Sequence, residues 1–391
     1  MPYLIKPALQ NYSWGDTKYI QELIGAQQET GKPLAEIWFG THPKAPSTVI
    51  TENGEVPMDK FVQNNQEYLP NNMQESSLPF LLKILAAAEP LSLQVHPDKQ
   101  TALNGFQREE LANLPLNDPK RCFKDPNHKP ELLCALTPFI AMCGFRPYEE
   151  IIRNFQVLGI TKLWQKFSSF ANSPSKKSLR DLFSQILNSE GNQLQDFLHC
   201  LESIQPELSP KLKFTCQICK HLNEFYPFDS GIVSPLLLNT FTLQPGQAVY
   251  IDAGILHSYI QGAGIEIMAN SDNVIRGGLT PKYIDREILF AITRFETYLP
   301  QLIHPHLKAN EPVAYTTPAE EFILKRLLLE GTLTLDNEHK PMLVFCIKGS
   351  LTTESGLSLA RGQAMFIPFN ERPSQISGSA EIFLVSTPTK L

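Results

Sequence analysis

Short apolar runs separated by Gly, Pro and Asn occupy both ends of the chain, before residue 147 and after residue 228. Runs of this length and spacing predict β-strands, and many short strands with frequent turns indicate a sandwich or a barrel. The predicted strands cover residues 80–86, 91–96, 131–136, 247–251, 265–268, 343–347, 363–367 and 381–385.

Between residues 148 and 227 the hydrophobic pattern changes to the period of a helix. We predict helices over 149–158 and 194–201, a third helix with Ser178 as its N-cap, and a loop over the Ser- and Lys-rich stretch 168–177. The middle of the chain is therefore a helical insertion in a β architecture. The apolar positions behind Ser178 are Leu179, Leu182, Phe183, Ile186 and Leu187.

An internal repeat links the two β regions. Residues 243–251 (LQPGQAVYI) are echoed by residues 359–367 (LARGQAMFI), at an offset of 116 residues. Two copies of one β unit predict two related barrels in tandem. The position equivalent to His257 in the second copy is Pro373, so we expect the later barrel to lack a metal site and to support the first.

Composition limits the classes of function. A chain of 391 residues is expected to form two or three domains, and 42% hydrophobic with 19% charged residues is typical of a folded protein. The formal net charge of −6, without a long basic block, argues against nucleic acid or an anionic membrane as the main partner. No signal-like or membrane-spanning run is visible, so we expect a cytoplasmic protein.

The seven cysteines are odd in number and scattered, which favours free thiols over a disulfide framework. Cys216 and Cys219 form a C-x-x-C with His221 close by, a spacing that zinc sites also use. Because no second C-x-x-C follows and the segment has helical periodicity, we predict buried helix cysteines instead.

Candidate metal ligands come from three predicted strands. Side chains alternate along residues 91–96, so Ser92, Gln94 and His96 share one face. Glu131 opens a second apolar run, and His257 follows a strand and turn. Two imidazoles, one carboxylate and one amide oxygen suit zinc and leave room for water or substrate.

Residues 266–282 add positive charge to the same region. Arg276 stands beside two glycines, which let a ligand approach the backbone, and Lys282 follows. Arginine and lysine near a metal cleft favour an anionic ligand such as a phosphate ester. A polar loop with solvated charges is the alternative.

Five motifs, at residues 11–15, 36–43, 94–99, 127–131 and 271–282, resemble those of type I phosphomannose isomerases of the cupin superfamily. The resemblance implies a mainly β fold of tandem cupin-type jelly-roll barrels with an inserted α-helical domain. It also implies one Zn²⁺ per chain, an active-site Arg276, and interconversion of mannose 6-phosphate and fructose 6-phosphate. The implied zinc ligands are Gln94, His96, Glu131 and His257.

We accordingly expect a catalytic metal-binding barrel from residues 1–147 and 228–305, a helical insertion over 148–227, and a C-terminal barrel without a metal over 306–391. The expected partner is a small sugar phosphate, and the chain is expected to be a monomer.

Isomerisation requires a proton to leave the carbon beside the carbonyl, which creates an enediolate whose charge must be stabilised. His128, Lys129 and Asp272 are candidate acids or bases, and the sequence does not rank them. Candidate phosphate ligands are Ser92, Lys83 and Lys282.

Two other functions fit parts of this pattern. Two histidines and a carboxylate on a small β-barrel also form the facial triad of iron oxygenases, although Gln94 and the basic residues argue against that class. The third possibility is a barrel that binds sugar or metal without turnover.

Overall fold

The computed structural model describes residues 1–26, 31–70, 73, 77–189, 191–202 and 208–388. Its strands are β1 (Tyr3–Lys6), β2 (Ala8–Gln10), β3 (Glu36–Phe39), β4 (Thr48–Thr51), β5 (Gly54–Pro57), β6 (Phe80–Ala87), β7 (Leu93–Val95), β8 (Glu131–Ala135), β9 (Phe139–Phe145), β10 (Leu238–Leu243), β11 (Ala248–Ile251), β12 (His257–Ala269), β13 (Ile275–Gly278), β14 (Leu302–Ile303), β15 (Val313–Tyr315), β16 (Ile323–Leu335), β17 (Met342–Thr353), β18 (Ser358–Ala360), β19 (Ala364–Ile367) and β20 (Ser374–Ser386).

The helices are α1 (Tyr19–Ile24), α2 (Met58–Asn64), α3 (Lys99–Leu111), α4 (Tyr148–Val157), α5 (Lys166–Asn172), α6 (Lys176–Leu187), α7 (Gly191–Glu202), α8 (Pro210–Phe225), α9 (Ser234–Leu237) and α10 (Arg286–Ile292). Within the described ranges, no helix is long and apolar enough to cross a membrane. The predicted arrangement of mainly β structure with a helical insertion is confirmed.

The long strand β12 organises the first barrel. Its later part pairs with β6 and β8, and its first residues pair with β7 and β9. A register shift between Tyr259 and Gln261 bends the strand between these two sets of partners. The bend brings the start of β12 beside β7, where the candidate ligands lie.

The second barrel is a sheet with the order β15-β16-β20-β17-β19-β1-β4-β5, and β18 pairs with β17. Its last three strands come from the N-terminal part of the chain, since β1 pairs with β19 in an antiparallel ladder. From the sequence, residues 1–147 are expected to belong to the first barrel. In the structure, the segments of β1, β4 and β5 extend the sheet of the later one.

The predicted repeat is visible in the backbone. Strands β11 and β19 begin and end at the same offset of 116 residues that relates their sequences. The turns before them place Gly246 at φ +88° and Gly362 at φ +81°, a region that favours glycine. The two copies therefore share a turn as well as a strand.

Two predictions in the helical insertion were wrong. Ser175, not Ser178, is the N-cap of α6: its side chain accepts from the backbone N–H of Ser178, whose own side chain accepts from Ser175. This reciprocal capping box needs a polar residue at both positions, so Ser178 resembled a cap. Residues 168–172, predicted to be a loop, belong to α5, which is stabilised by the burial of Phe167 and Phe170.

Separate apolar cores hold the parts together. The helices pack their buried faces against the first barrel around Phe155, Trp164 and Phe183. Another core joins the two barrels, with Phe39 and Phe345 at a ring-centroid distance of 5.5 Å. All seven cysteines are free, and Cys216 and Cys219 are buried in α8, as predicted.

Candidate active site

Four donors converge at the end of the first barrel. Gln94 in β7 and His257 at the start of β12 are direct partners across an antiparallel pair. The side-chain amide of Gln94 lies 3.3 Å from Nε2 of His257. Glu131, the first residue of β8, lies between the two histidines, with one carboxylate oxygen 3.3 Å from Nε2 of His96 and the other 3.3 Å from Nε2 of His257.

Hydrogen bonds on the far side of each ring fix both imidazoles. Nδ1 of His96 lies 2.6 Å from the carbonyl oxygen of Asn273, and Nδ1 of His257 lies 2.8 Å from that of Ile255. A carbonyl only accepts, so each Nδ1 carries the hydrogen and each Nε2 lone pair points at the cluster. Partners of this kind commonly orient histidines that ligate metals.

The protonation of the cluster also suits a metal. Burial lowers the pKa of His96 to about 4, which keeps the imidazole neutral. Burial alone would raise the pKa of Glu131, but the charge of Lys129 outweighs it and holds the pKa well below its ordinary value. Nε2 of His96 and one oxygen of Glu131 are buried without a hydrogen-bond partner in the described part of the chain. Buried orphan atoms are costly, and a cation satisfies both.

Arg276 lies on the same face as these donors. It is the register partner of Gln94 across β13 and β7, as Gln94 is of His257 across β7 and β12. Side chains directly opposite one another point to the same side of a sheet, so the three form a row. The pKa of Arg276 is lowered by burial, and within the described residues its guanidinium makes no hydrogen bond or ion pair.

The other predicted basic residues divide into two groups. The pKa of Lys282 is lowered by burial and by the positive charges of Arg276 and Lys44, which indicates that these cations lie near one another. Ser92 precedes β7 on the face of Gln94. Lys83, in contrast, has its Nζ 3.1 Å from Glu266 and 3.9 Å from Glu36, so carboxylates already neutralise its charge.

Sequence reasoning gave no role to the carboxylates around Lys83. Glu266 is the register partner of Lys83 and is 3% exposed. Burial raises its pKa despite the opposing effect of Lys83. The sequence does contain an indication of this pair, because a glutamate inside the apolar run of β12 requires a buried partner.

Lys129 and His128 point in opposite directions. Nζ of Lys129 lies 3.1 Å from Glu131, inside the site. Nε2 of His128 instead lies 2.6 Å from Glu321, a residue of the C-terminal barrel. Only one of these two neighbours therefore faces the metal donors.

Asp272 borders a cavity of about 460 Å³. Its carboxylate is 3.5 Å from Nε2 of His42, a residue to which sequence analysis assigned no role. The loop that carries Asp272 is held by Asp125, which accepts from the backbone N–H of Asp272 and from Ser271. Asn273 on the same loop supplies the carbonyl that orients His96, so one loop positions both a candidate base and a ligand.

Comparisons with known proteins cover nearly all of the chain. Family profiles match residues 3–148 (phosphomannose isomerase type I, catalytic domain), 157–238 (helical insertion domain of the same family) and 313–387 (mannose-6-phosphate isomerase, cupin domain). Mannose-6-phosphate isomerase from Escherichia coli is 37% identical over 383 residues, 96% of this chain and 97% of that protein. The Homo sapiens enzyme is 31% identical over 94% of this chain and 93% of its own length.

Solved structures that resemble this chain are isomerases of the same kind. A crystal structure of a phosphomannose isomerase mutant from Salmonella typhimurium superposes with a TM-score of 0.90 at 35% identity, covering 99% of this chain and 100% of that chain. A zinc-bound mannose 6-phosphate isomerase gives a TM-score of 0.87 at 34% identity, with the same coverage. These findings remove the support for an iron oxygenase or a barrel without turnover. The chain belongs to the type I phosphomannose isomerase family, a family of mannose-6-phosphate isomerases of the cupin fold.

Proposed function

We propose that the site interconverts mannose 6-phosphate and fructose 6-phosphate by proton transfer through an enediolate, with one zinc ion per chain. The observation that carries the proposal is the convergence beside His257 of two buried donor atoms, on His96 and Glu131, that have no hydrogen-bond partner among the described residues. We further propose a cytoplasmic monomer, for which the seven free thiols suit a reducing compartment.

The donors that would hold zinc are Gln94, His96, Glu131 and His257. In the structure, the amide nitrogen of Gln94 faces His257. A half-turn of the amide group places its oxygen toward the cluster instead, where it can bind the metal. A bound zinc ion would supply Lewis-acid charge for the oxygens of the substrate. The set carries one formal negative charge, so the loaded site keeps a positive charge that favours an anionic substrate.

The phosphate group fits best at the cationic end of the row. Arg276 makes no ion pair with any residue that the structure describes. The positive charge of Arg276 lowers the pKa of Lys282, and Ser92 offers a hydroxyl on the same face. Charge-assisted hydrogen bonds from these groups would fix the phosphate. Lys83 suits this role less well, because Glu36 and Glu266 already balance its charge.

For the proton transfer we propose Asp272 as the base and Lys129 as the cation that stabilises the enediolate. Asp272 is a carboxylate with 37% side-chain exposure, and the next residue on its loop, Asn273, orients His96. It would remove the proton on C2 of the open-chain aldose and return a proton to C1, while a proton moves from O2 to O1. Nζ of Lys129 lies beside Glu131, at the proposed metal site. There it can stabilise the negative charge that develops on the oxygens of the substrate.

Incubation with fructose 6-phosphate in D2O, followed by NMR of the sugars, tests the function. We expect mannose 6-phosphate with deuterium at C2, formation that stops after chelation, and recovery when zinc is added. Product without solvent deuterium under slow turnover would favour direct hydride transfer instead of the enediolate. Absence of product with zinc shown to be bound would refute the proposed function.

A further inference from the structure

One side chain of the C-terminal barrel reaches the segment that carries the active-site residues. Glu321 lies two residues before β16, a strand of the second sheet, and its Oε1 is 2.6 Å from Nε2 of His128. Both side chains are largely shielded from solvent, with 16% of Glu321 and 25% of His128 exposed. The segment from His128 to Glu131 therefore contacts both barrels: His128 contacts Glu321 of the second, and Glu131 contacts His96 of the first.

Alternation along this segment separates its two faces. Leu132 and Cys134, on the even positions of β8, lie in the core between the barrels, which also contains Phe322, the residue after Glu321. Lys129 and Glu131, on the odd positions, face the metal donors. His128 lies just before β8, and its bond to Glu321 holds this segment from the C-terminal barrel, whereas Lys129 contacts Glu131 inside the site.

The backbone between the two faces is stiff. Pro130 has a fixed φ and restricts Lys129 before it to an extended conformation. Rotation between Lys129 and Glu131 is therefore limited, so a displacement that reaches Lys129 is passed on to Glu131. Because a misplacement of about 1 Å can cost about 100-fold in rate, small movements of this segment matter.

The contact with His128 stabilises the charged form of Glu321. Burial alone would raise the pKa of its carboxyl, but the hydrogen bond and charge of His128 lower it. Its other oxygen is buried and has no hydrogen-bond partner among the described residues. His128 is thus the principal partner of a carboxylate that has been largely withdrawn from water.

We propose that Glu321 is a positioning residue for the reaction: it acts through His128 to place Lys129 and Glu131. The C-terminal barrel, in which the described residues form no metal-ligating cluster, would thereby contribute to catalysis from outside the site. The inference rests on the roles proposed above for Lys129 and Glu131.

The test uses the zinc-loaded full chain with Glu321→Ala, Glu321→Gln and His128→Gln, and measures kcat, KM and zinc content. We expect Glu321→Ala to lower kcat by about tenfold or more, with a smaller change in KM and with zinc retained. Glu321→Gln keeps a hydrogen-bond acceptor and should recover part of the loss. The double variant with His128→Gln should lose no more than the worse single variant, because the residues act as one unit.

Glu381→Gln is the control, since it breaks the ion pair of Glu381 with Arg326 inside the same barrel. It should lower the unfolding midpoint without changing kcat. If Glu321→Ala behaves in the same way, its role is only structural and the inference is wrong. Additive losses in the double variant would also refute action through His128. Neither result affects the proposed function, which fails only if the wild-type enzyme does not isomerise the sugar.

Discussion

The row of Arg276, Gln94 and His257 combines two tasks on neighbouring side chains. His257 belongs to the proposed zinc ligands, whereas Arg276 borders them and is not one of them. We predict that His257→Ala loses both bound zinc and turnover, because a strand-fixed donor cannot be replaced by a neighbour. Metal content by mass spectrometry and the isomerase rate check this.

We predict that Arg276→Ala, unlike His257→Ala, keeps its zinc and loses only activity. Zinc stays bound, while kcat/KM for the sugar phosphate falls by about 100-fold, since a buried charge-assisted contact with phosphate contributes about 3 kcal/mol. Arg276→Lys should recover only part of this loss, because lysine has no planar fork. Full activity of Arg276→Ala would show that Arg276 does not bind the phosphate.

His42 makes the stability of the protein dependent on pH. Burial lowers its pKa to about 4, with Asp272 opposing the shift. Between pH 6.5 and 4 the unfolded chain therefore binds a proton at this position that the folded protein does not, and stability falls as the pH falls. The loss attributable to His42 reaches about 3 kcal/mol near pH 4.

Urea unfolding of the metal-free protein from pH 7 to pH 4 measures this effect. We expect His42→Gln to flatten the decline relative to wild type. His304→Gln, at an exposed position, is the control and should leave the slope unchanged. An equal slope in the wild type and in His42→Gln would show that other groups cause the decline.

Single residues were predictable where a local pattern exposed them. Alternation around Gln94 and His96 placed an amide and an imidazole on one face, and the structure brings them beside Glu131 and His257. The environments of Lys83 and His128 were not predictable, because their partners lie far away in sequence. Glu266 and Glu321 approach only through strand register and barrel packing.

At the scale of elements, the turn before β19 can be compared with the turn between β17 and β18, which contains Gly356. An added Cβ on Gly362 would meet the carbonyl oxygen of Leu23 at 2.2 Å, whereas one on Gly356, at a similar positive φ, would meet nothing within 4 Å. Gly356→Ala should therefore cost only the backbone strain, about 1 kcal/mol.

Gly362→Ala should cost more, about 2–4 kcal/mol, because the turn must also move away from α1. The free energy of unfolding in urea, measured for both variants, checks the difference. Equal losses would mean that the turn yields without strain. This contrast separates the conformational freedom of glycine from its lack of a side chain.

Elements were predicted well where period and length agreed. The strands over 247–251 and 363–367 and the helix beginning near residue 149 match β11, β19 and α4 to within one residue. The predictions failed where two polar residues competed for one cap, as at Ser175 and Ser178, or where a short helix consisted mostly of polar residues, as in α5. In both cases packing or reciprocal hydrogen bonding decided the structure.

At the scale of the whole molecule, the two barrels are not independent units. β1 pairs with β19, and β4 and β5 continue the same sheet, although all three precede the first barrel's long strand in sequence. The sequence could not reveal this, because β1, β4 and β5 carry no feature that distinguishes one sheet from the other. The shared core between the barrels, which includes Phe39 and Phe345, is a consequence of that topology.

We therefore predict that the chain truncated after residue 305 does not fold into a zinc-binding barrel. Removal of β15–β20 leaves β1 paired with β4 alone, because β19 is lost, and exposes the apolar side of Phe39 and Leu132 to water. Exposure of a core of this kind typically produces aggregation or an expanded state. Soluble yield, near-ultraviolet circular dichroism and zinc content of the fragment are the measurements. A soluble, zinc-loaded and active fragment of residues 1–305 would show that the C-terminal barrel is dispensable, and with it Glu321.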